Sequence, residues 1–263
     1  MSRTPCPPGA GEGSVTEAAL AARDLTRRFG GLVAVNKVSL DLHARELHAL
    51  IGTNGAGKST LINLLAGELK PSAGSVMLDG APLRHASPNR LARLGIGRTF
   101  QRSNVFPEFT VFENCRLAAQ ARFPRSWAIH QRASRCKVSR TAAERALGAV
   151  RLEHRGNDLA AALSHGERRQ LEVAMCLATA PRVLLLDEPL AGMGAEESQG
   201  MVELLRRLKG SHAILLVEHD MDAVFAVADV ITVMVNGAVL ASGRPDEVRT
   251  NPAVREAYLG DSV

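Results

Sequence analysis

The chain has 263 residues, a formal net charge of +5 and an isoelectric point near 9.4, and it is 46% hydrophobic but only 3% aromatic. That length suffices for one large domain with an aliphatic core, while one Trp and one Tyr leave little to stack single-stranded bases and weigh against a nucleic-acid partner. Cys6, Cys115, Cys136 and Cys176 show no C-x-x-C spacing, which argues against a zinc site or a disulfide framework and for a reducing compartment, and no apolar run approaches the roughly 18 to 20 residues that cross a bilayer.

Met1 to Thr16, rich in Pro and Gly with little to bury, is expected to be a disordered tail, with the folded domain spanning 17–260. β-like runs follow at Ala21–Phe29, Leu32–Leu42 and Leu47–Ile51, with a turn at Gly30-Gly31, and together they predict an antiparallel sheet. Phe29 could stack on a flat base or be an ordinary core phenylalanine. The third run leads directly into GTNGAGKST, Gly52 to Thr60, a full match to G-x-x-x-x-G-K-[ST] between a strand pattern and a helix pattern. Phosphate oxygens must approach backbone N–H groups closely, so Gly52, Gly55 and Gly57, together with Thr53, Asn54 and Ala56, are expected to form a nest of donors. The helix opening at Lys58 adds the positive end of its dipole. Lys58 supplies a mobile charge for the β- and γ-phosphates, and the Ser59 hydroxyl, next to Thr60, is a hard oxygen suited to a magnesium ion.

Leu61, Leu64, Leu65 and Leu69 continue at helical spacing until Pro71-Ser72-Ala73-Gly74 stops the helix. Ser75 to Gly80 reads as strand into turn, and Gly95 to Phe100 as a short strand ending at Gln101. The Ala-, Arg- and Leu-rich stretch from Val111 to Val173 has few β-branched residues and predicts a helical subdomain, about 103–173, inserted between two sheet-forming halves. Its arginines, from Arg116 to Arg155, are read as a solvated helix face. Val183–Asp187 and Ala213–Val217 are continuous apolar runs, as in strands covered on both faces, and Val230–Val235 is closed by the hairpin dipeptide Asn236-Gly237.

Strands alternating with helices give a parallel α/β core. Ligands sit at the carboxyl ends of its strands, so Gln101, Asp187, Glu188 and His219 are expected to converge on the phosphate loop. Asp187, beside Ser59, is placed to hold magnesium directly or through water, and Gln101 to bridge the metal and the water. Glu188 can polarise an attacking water, and His219 can donate to charge developing on the γ-phosphate.

GTNGAGKST, Gln101 after Thr99-Phe100, Leu163-Ser164-His165-Gly166-Glu167, the run VLLLDEP from Val183 to Pro189, and His219, in this order, resemble the ATP-binding subunit of ABC transporters. The resemblance covers the chain from about Leu20 to Gly260. It implies a P-loop NTPase core with a parallel sheet, an antiparallel β subdomain and an inserted helical subdomain. It also implies that Ser164, His165, Gly166 and Glu167 open a helix whose start contacts the γ-phosphate held by a second subunit. Two departures stand out. The usual pattern has glycine at His165 and glutamine at Glu167, and Leu190-Ala191-Gly192-Met193-Gly194 replaces a loop that commonly ends in aspartate. These variants, with Val217-Glu218-His219-Asp220-Met221 and Ala257-Tyr258-Leu259-Gly260, look like the ATP-binding proteins of branched-chain amino acid importers.

The resemblance implies ATP and Mg²⁺ as ligands and an identical or different second ATP-binding subunit. It further implies transmembrane permease subunits, a separate substrate-binding protein, and a peripheral place on the cytoplasmic face of the inner membrane. The same motifs would serve a urea or amide importer or a lipid or lipopolysaccharide exporter. A soluble ABC ATPase acting on ribosomes or DNA usually carries two cassettes or a long coiled coil, whereas this chain has one phosphate loop and no sustained heptads.

Overall fold

The computed structural model describes residues 17–83, 87–99, 104–122 and 136–259. The tail expected at 1–16 and Gln101 lie outside the described residues. β1 (Leu20–Phe29) and β2 (Leu32–Leu42) form a hairpin in which Gly30 takes φ 57°. Buried and exposed residues are interspersed along both, as in a sheet with one wet face. β3 (Leu47–Gly52) differs, because all of its residues are buried. After it come α1 (Lys58–Leu65), β4 (Ala73–Leu78), β5 (Ala81–Pro82), α2 (Pro88–Leu94) and β6 (Ile96–Arg98). The helical stretch holds α3 (Val111–Arg122), α4 (Lys137–Val150) and α5 (His165–Ala178). Strands and helices then alternate through β7 (Val183–Asp187), α6 (Ala195–Lys209), β8 (Ala213–Val217), α7 (Met221–Val227) and β9 (Val230–Val235), followed by β10 (Ala238–Gly243) and α8 (Pro245–Thr250).

Among the described residues, the strands build a four-stranded sheet of order β2-β1-β4-β5 and a six-stranded sheet of order β10-β9-β3-β8-β7-β6. The first is antiparallel. In the second, neighbours from β9 to β6 are parallel and only β10 is antiparallel, paired with β9 through the turn at Asn236 (φ 47°) and Gly237 (φ 80°). The third β-like run therefore does not join the antiparallel sheet with the first two, as expected from its position in the chain. It lies between β9 and β8 because a run with no polar alternation can be satisfied only where helices or a second sheet cover both faces. The helix after the phosphate loop also stops short of Leu69, since Gly67 takes φ 70° and turns the chain just past Leu65.

Alternate residues of the parallel sheet face opposite sides and feed three buried clusters, one of them formed by Ala49, Ile51, Ile231 and Val233 with Val224, Val248 and Val254. Val183, Leu185, Ala213 and Leu215 join Leu20, Leu25, Val38, Leu61, Ile62 and Leu65 between the two sheets and α1. Leu184, Leu186, Ile214 and Leu216 face Val111, Cys115, Leu147, Leu171, Ala174 and Leu204 on the helical side. Such fully buried aliphatic side chains contribute about 1.5–3 kcal/mol each. The arginines of the helical stretch are not all a solvated face. Arg116 is 6% exposed and pairs with Glu113, and the Arg122 guanidinium donates to the carbonyls of Thr179 and Ala180 just past the end of α5. Arginine's long apolar stem lets a charged end reach carbonyls that a helix terminus leaves unbonded.

Candidate nucleotide site

The carboxyl ends of β3, β7 and β8 share one edge of the parallel sheet, and the phosphate-loop residues leave from that edge. Gly52, Gly55 and Gly57 have φ 153°, 81° and 97°. At two of these positions a side chain is also sterically barred: a Cβ on Gly52 would lie 2.2 Å from the Met234 carbonyl oxygen, and one on Gly57 2.2 Å from that of Ala34. The second approach brings the start of β2, and with it the β1–β2 hairpin, against the loop. Thr53, Asn54, Gly55 and Ser59 are exposed, Thr60 is half-buried and Ala56 is buried. Lys58 is buried, and its Nζ donates to the carbonyls of Gly52 at 2.6 Å and Thr53 at 3.0 Å. Burial lowers the pKa of Lys58, and the negative charges of Glu188 and Asp187 act in the opposite direction. The strand order places Lys58, after β3, and both carboxylates, at the end of β7, on the same edge of the sheet with β8 between them.

Asp187 closes β7 at 3% exposure; its N–H donates to Thr99 Oγ1, and its Oδ2 lies 3.6 Å from Arg98 Nη2. Arg98 also meets Glu68 at 3.0 Å. Burial pushes the Asp187 carboxyl above its ordinary pKa, and Arg98 pulls it back. The other oxygen, Oδ1, is buried and has no hydrogen-bond partner among the described residues. Glu188 follows in the left-handed region, at φ 49°, and its N–H donates to the Val217 carbonyl at 2.9 Å. A non-glycine residue held there costs on the order of 1–3 kcal/mol, and such strain gathers at functional sites.

His219 stands just past the end of β8 with its side chain 62% exposed, while Glu218 before it is buried. Glu218 Oε1 accepts from Leu190 N–H at 2.8 Å and Oε2 from His219 N–H at 3.1 Å, so one carboxylate joins the segment after Glu188 to the segment carrying His219. Burial raises its pKa, and those two N–H groups counter the rise. Asp220 caps α7 by accepting from Ala223 N–H. Glu218→Ala is expected to strand the buried Leu190 N–H at a cost on the order of 1–3 kcal/mol, with a smaller loss at the part-buried His219 N–H. An unchanged midpoint of denaturant unfolding would contradict that assignment.

Phe29 is 43% exposed and lies in none of the three buried clusters, so the ordinary core reading fails. The Arg27 guanidinium covers its ring at 4.5 Å. Ser164, His165, Gly166 and Glu167 open α5 as expected. Ser164 Oγ accepts from Glu167 N–H at 3.1 Å and Glu167 Oε2 from Ser164 N–H at 2.8 Å, a reciprocal cap. This group also contacts the segment 191–197: His165 Nε2 lies 3.0 Å from the Ala191 carbonyl, and Glu197 meets both Ser164 and Gly166. Sequence reasoning missed Arg98, Glu197 and the joining role of Glu218. Only Glu218 carried a signal, its place at a strand end directly before His219.

A family model described as "ABC transporter" matches residues 35–191, and one described as "Branched-chain amino acid ATP-binding cassette transporter" matches 238–263. The chain is 41% identical over 251 residues to the high-affinity branched-chain amino acid transport ATP-binding protein LivG of Salmonella typhimurium, covering 92% of this chain and 98% of that one. It is 39% identical to BraF of Pseudomonas aeruginosa, a protein of the same description, over 90% of this chain and 96% of that one. Among solved structures, the ADP conformation of MJ1267, an ATP-binding cassette of an ABC transporter, superposes with a TM-score of 0.81 at 29% identity, covering 92% of this chain and 99% of that one. The matched segment runs from the hairpin strand at the phosphate loop through Asp187 and Glu188 to Ala191, and sequence and fold agree: the chain belongs to the ABC transporter family as an ATP-binding cassette, an ATPase that powers transport.

Proposed function

We propose that this chain binds and hydrolyses ATP to drive import of branched-chain amino acids through separate membrane subunits. The observation that supports the site reading best is the placement of Lys58 after β3 and of Asp187 and Glu188 at the end of β7, on one edge of the parallel sheet, beside a loop in which Gly52 and Gly57 leave no room for a Cβ. In this reading the N–H groups of Gly52 to Thr60 cradle the phosphates. The Lys58 ammonium exchanges its two loop carbonyls for the β- and γ-phosphates. Phe29, covered by Arg27 on one face, offers a face to the adenine.

Mg²⁺ fits the donors present, since Ser59 is an exposed hydroxyl at the start of α1 and Asp187 keeps one buried oxygen without a partner among the described residues. When bound, the ion offsets phosphate charge and steadies the terminal phosphate oxygens. Glu188 polarises the attacking water and His219 donates to charge developing on the γ-phosphate, while Gln101, outside the described residues, would help hold the ion and the water. Ser164, His165, Gly166 and Glu167 serve the ATP of a second cassette, so each site is completed by two chains. Among the described residues no helix is long and apolar enough to cross a membrane. The path for cargo is therefore assigned to permease subunits, fed by a separate substrate-binding protein, with this chain peripheral on the cytoplasmic side.

The cargo reading rests on the relatives and on the match at 238–263. Its test is uptake of labelled leucine, isoleucine and valine by cells lacking this chain, alongside identification of the membrane proteins that co-purify with a tagged copy. Uptake should fall and permease subunits should be recovered. Undiminished branched-chain uptake with loss of urea, amide or lipid transport would overturn the assignment of cargo.

A further inference from the structure

The start of α5 is held by a carboxylate of the same chain. Glu197, in the first turn of α6, places Oε1 3.0 Å from Ser164 Oγ and 3.2 Å from Gly166 N, where both groups donate to it. Its Oε2 accepts from Gly194 N–H at 3.3 Å. The fit depends on the glycine: a Cβ on Gly166 would lie 2.4 Å from Glu197 Cδ. Glu197 is held below the usual carboxylate pKa range, first by the Gly194 N–H, then by the Ser164 hydroxyl. A second latch lies alongside. His165 Nε2 approaches the Ala191 carbonyl at 3.0 Å, and Gly192, at φ 77°, leaves room for that ring, since a Cβ there would lie 2.9 Å from Nε2. The two departures from the family pattern, His165 and the aspartate-free loop ending at Gly194, thus both take part in one intramolecular clamp between α5 and the segment leading into α6.

We propose that Glu197 is a built-in competitor for the anion site at Ser164 and Gly166, a carboxylate that must be displaced before this chain can engage the γ-phosphate of ATP held by a second cassette. The inference rests on the trans role of Ser164 argued above. The physical reason is that a carboxylate oxygen and a phosphate oxygen need the same donors, one hydroxyl and one N–H at a helix start, and like charges cannot share them. Release of Glu197 frees the segment 190–197, which begins two residues after Glu188, so engagement of the second chain's phosphate is mechanically joined to the hydrolytic segment of this one.

The test uses Glu188→Gln chains, in which hydrolysis is slowed, titrated with ATP in the presence of the cassette they pair with, either themselves or the mate that co-purifies from membranes. Dimer formation is followed by light scattering. Adding Glu197→Ala should lower the ATP concentration for half-maximal dimerisation by about tenfold, the effect of removing one charge-assisted competitor. Glu197→Gln, which keeps an oxygen for the Gly194 cap but not the charge, should shift it in the same direction. Half-maximal concentrations unchanged or raised in both variants, with melting temperatures held, would overturn the proposal and leave Glu197 as a helix cap. Ser164→Arg in the same background separates the two levels. If it abolishes dimerisation while the Glu197 variants do not tighten it, only the competitor role fails; if it dimerises normally, the trans role of Ser164 fails and the competitor role fails with it.

Discussion

Glu188→Gln is expected to bind ATP normally and to hydrolyse it about 10²- to 10⁴-fold more slowly, the loss that accompanies removal of a positioned general base. The substitution is nearly isosteric and leaves the backbone bond from residue 188 to the Val217 carbonyl available. The left-handed φ of 49° is no harder for glutamine than for glutamate. None of the N–H groups from Gly52 to Ser59 that are proposed to face phosphate is touched, so affinity should hold. Phosphate release under saturating ATP and equilibrium binding of a labelled nucleotide measure the two halves separately. Near-normal turnover would remove Glu188 from the reaction and shift attention to His219. Lost binding would instead mean that the carboxylate steadies the loop, through the charge it presents to Lys58.

A mixture of two inactive chains, Lys58→Ala and Ser164→Arg, is expected to regain ATPase activity. Lys58→Ala removes the one side-chain cation of the phosphate loop; a charged hydrogen bond of this kind is worth about 1.5–3 kcal/mol, or roughly 10- to 150-fold in affinity. Ser164→Arg puts a long side chain at the start of α5, two residues before Gly166, where even a Cβ would meet the Glu197 side chain at 2.4 Å. In this chain Ser164 contacts Glu167 and Glu197 rather than the phosphate loop. If each ATP site takes Lys58 from one chain and Ser164 from the other, a mixed dimer has one site with both defects and one with neither. If each chain closes its own site, every site in the mixture is defective and activity stays absent. Repeating the mixture with a co-purified mate covers pairing with a different cassette. Absence of rescue under both conditions would exclude a site shared between chains.

The phosphate loop was legible before any folding was considered because its requirements are contiguous: glycines where the chain bends back, a lysine and a hydroxyl at the start of a helix. The end of β7 was legible for a similar reason, since an unbroken apolar run closing in Asp187 and Glu188 states both its burial and its exit from the sheet. Hairpins marked by Gly30-Gly31 and Asn236-Gly237 were likewise local. What misled was adjacency. Leu47–Gly52 follows two hairpin strands in the chain but pairs with strands far along it, because sheet order is decided by which faces can be covered, and that is a property of the whole packing.

The amino-acid sequence by itself determined the ATP-binding cassette family and the α/β class and singled out the residues proposed to meet phosphate, because each rests on local backbone conformation and on the chemistry of a side chain at a strand end. Only the tertiary structure decided that Arg98 pairs with Asp187, that Glu218 joins the segments after Glu188 and before His219, that Phe29 stands exposed, and that Glu197 occupies the start of α5. Buried or half-buried charges carry no periodic signal. Their partners come from other strands and helices, and the choice is made by the cost of leaving a charge or a backbone N–H unsatisfied once packing has excluded water.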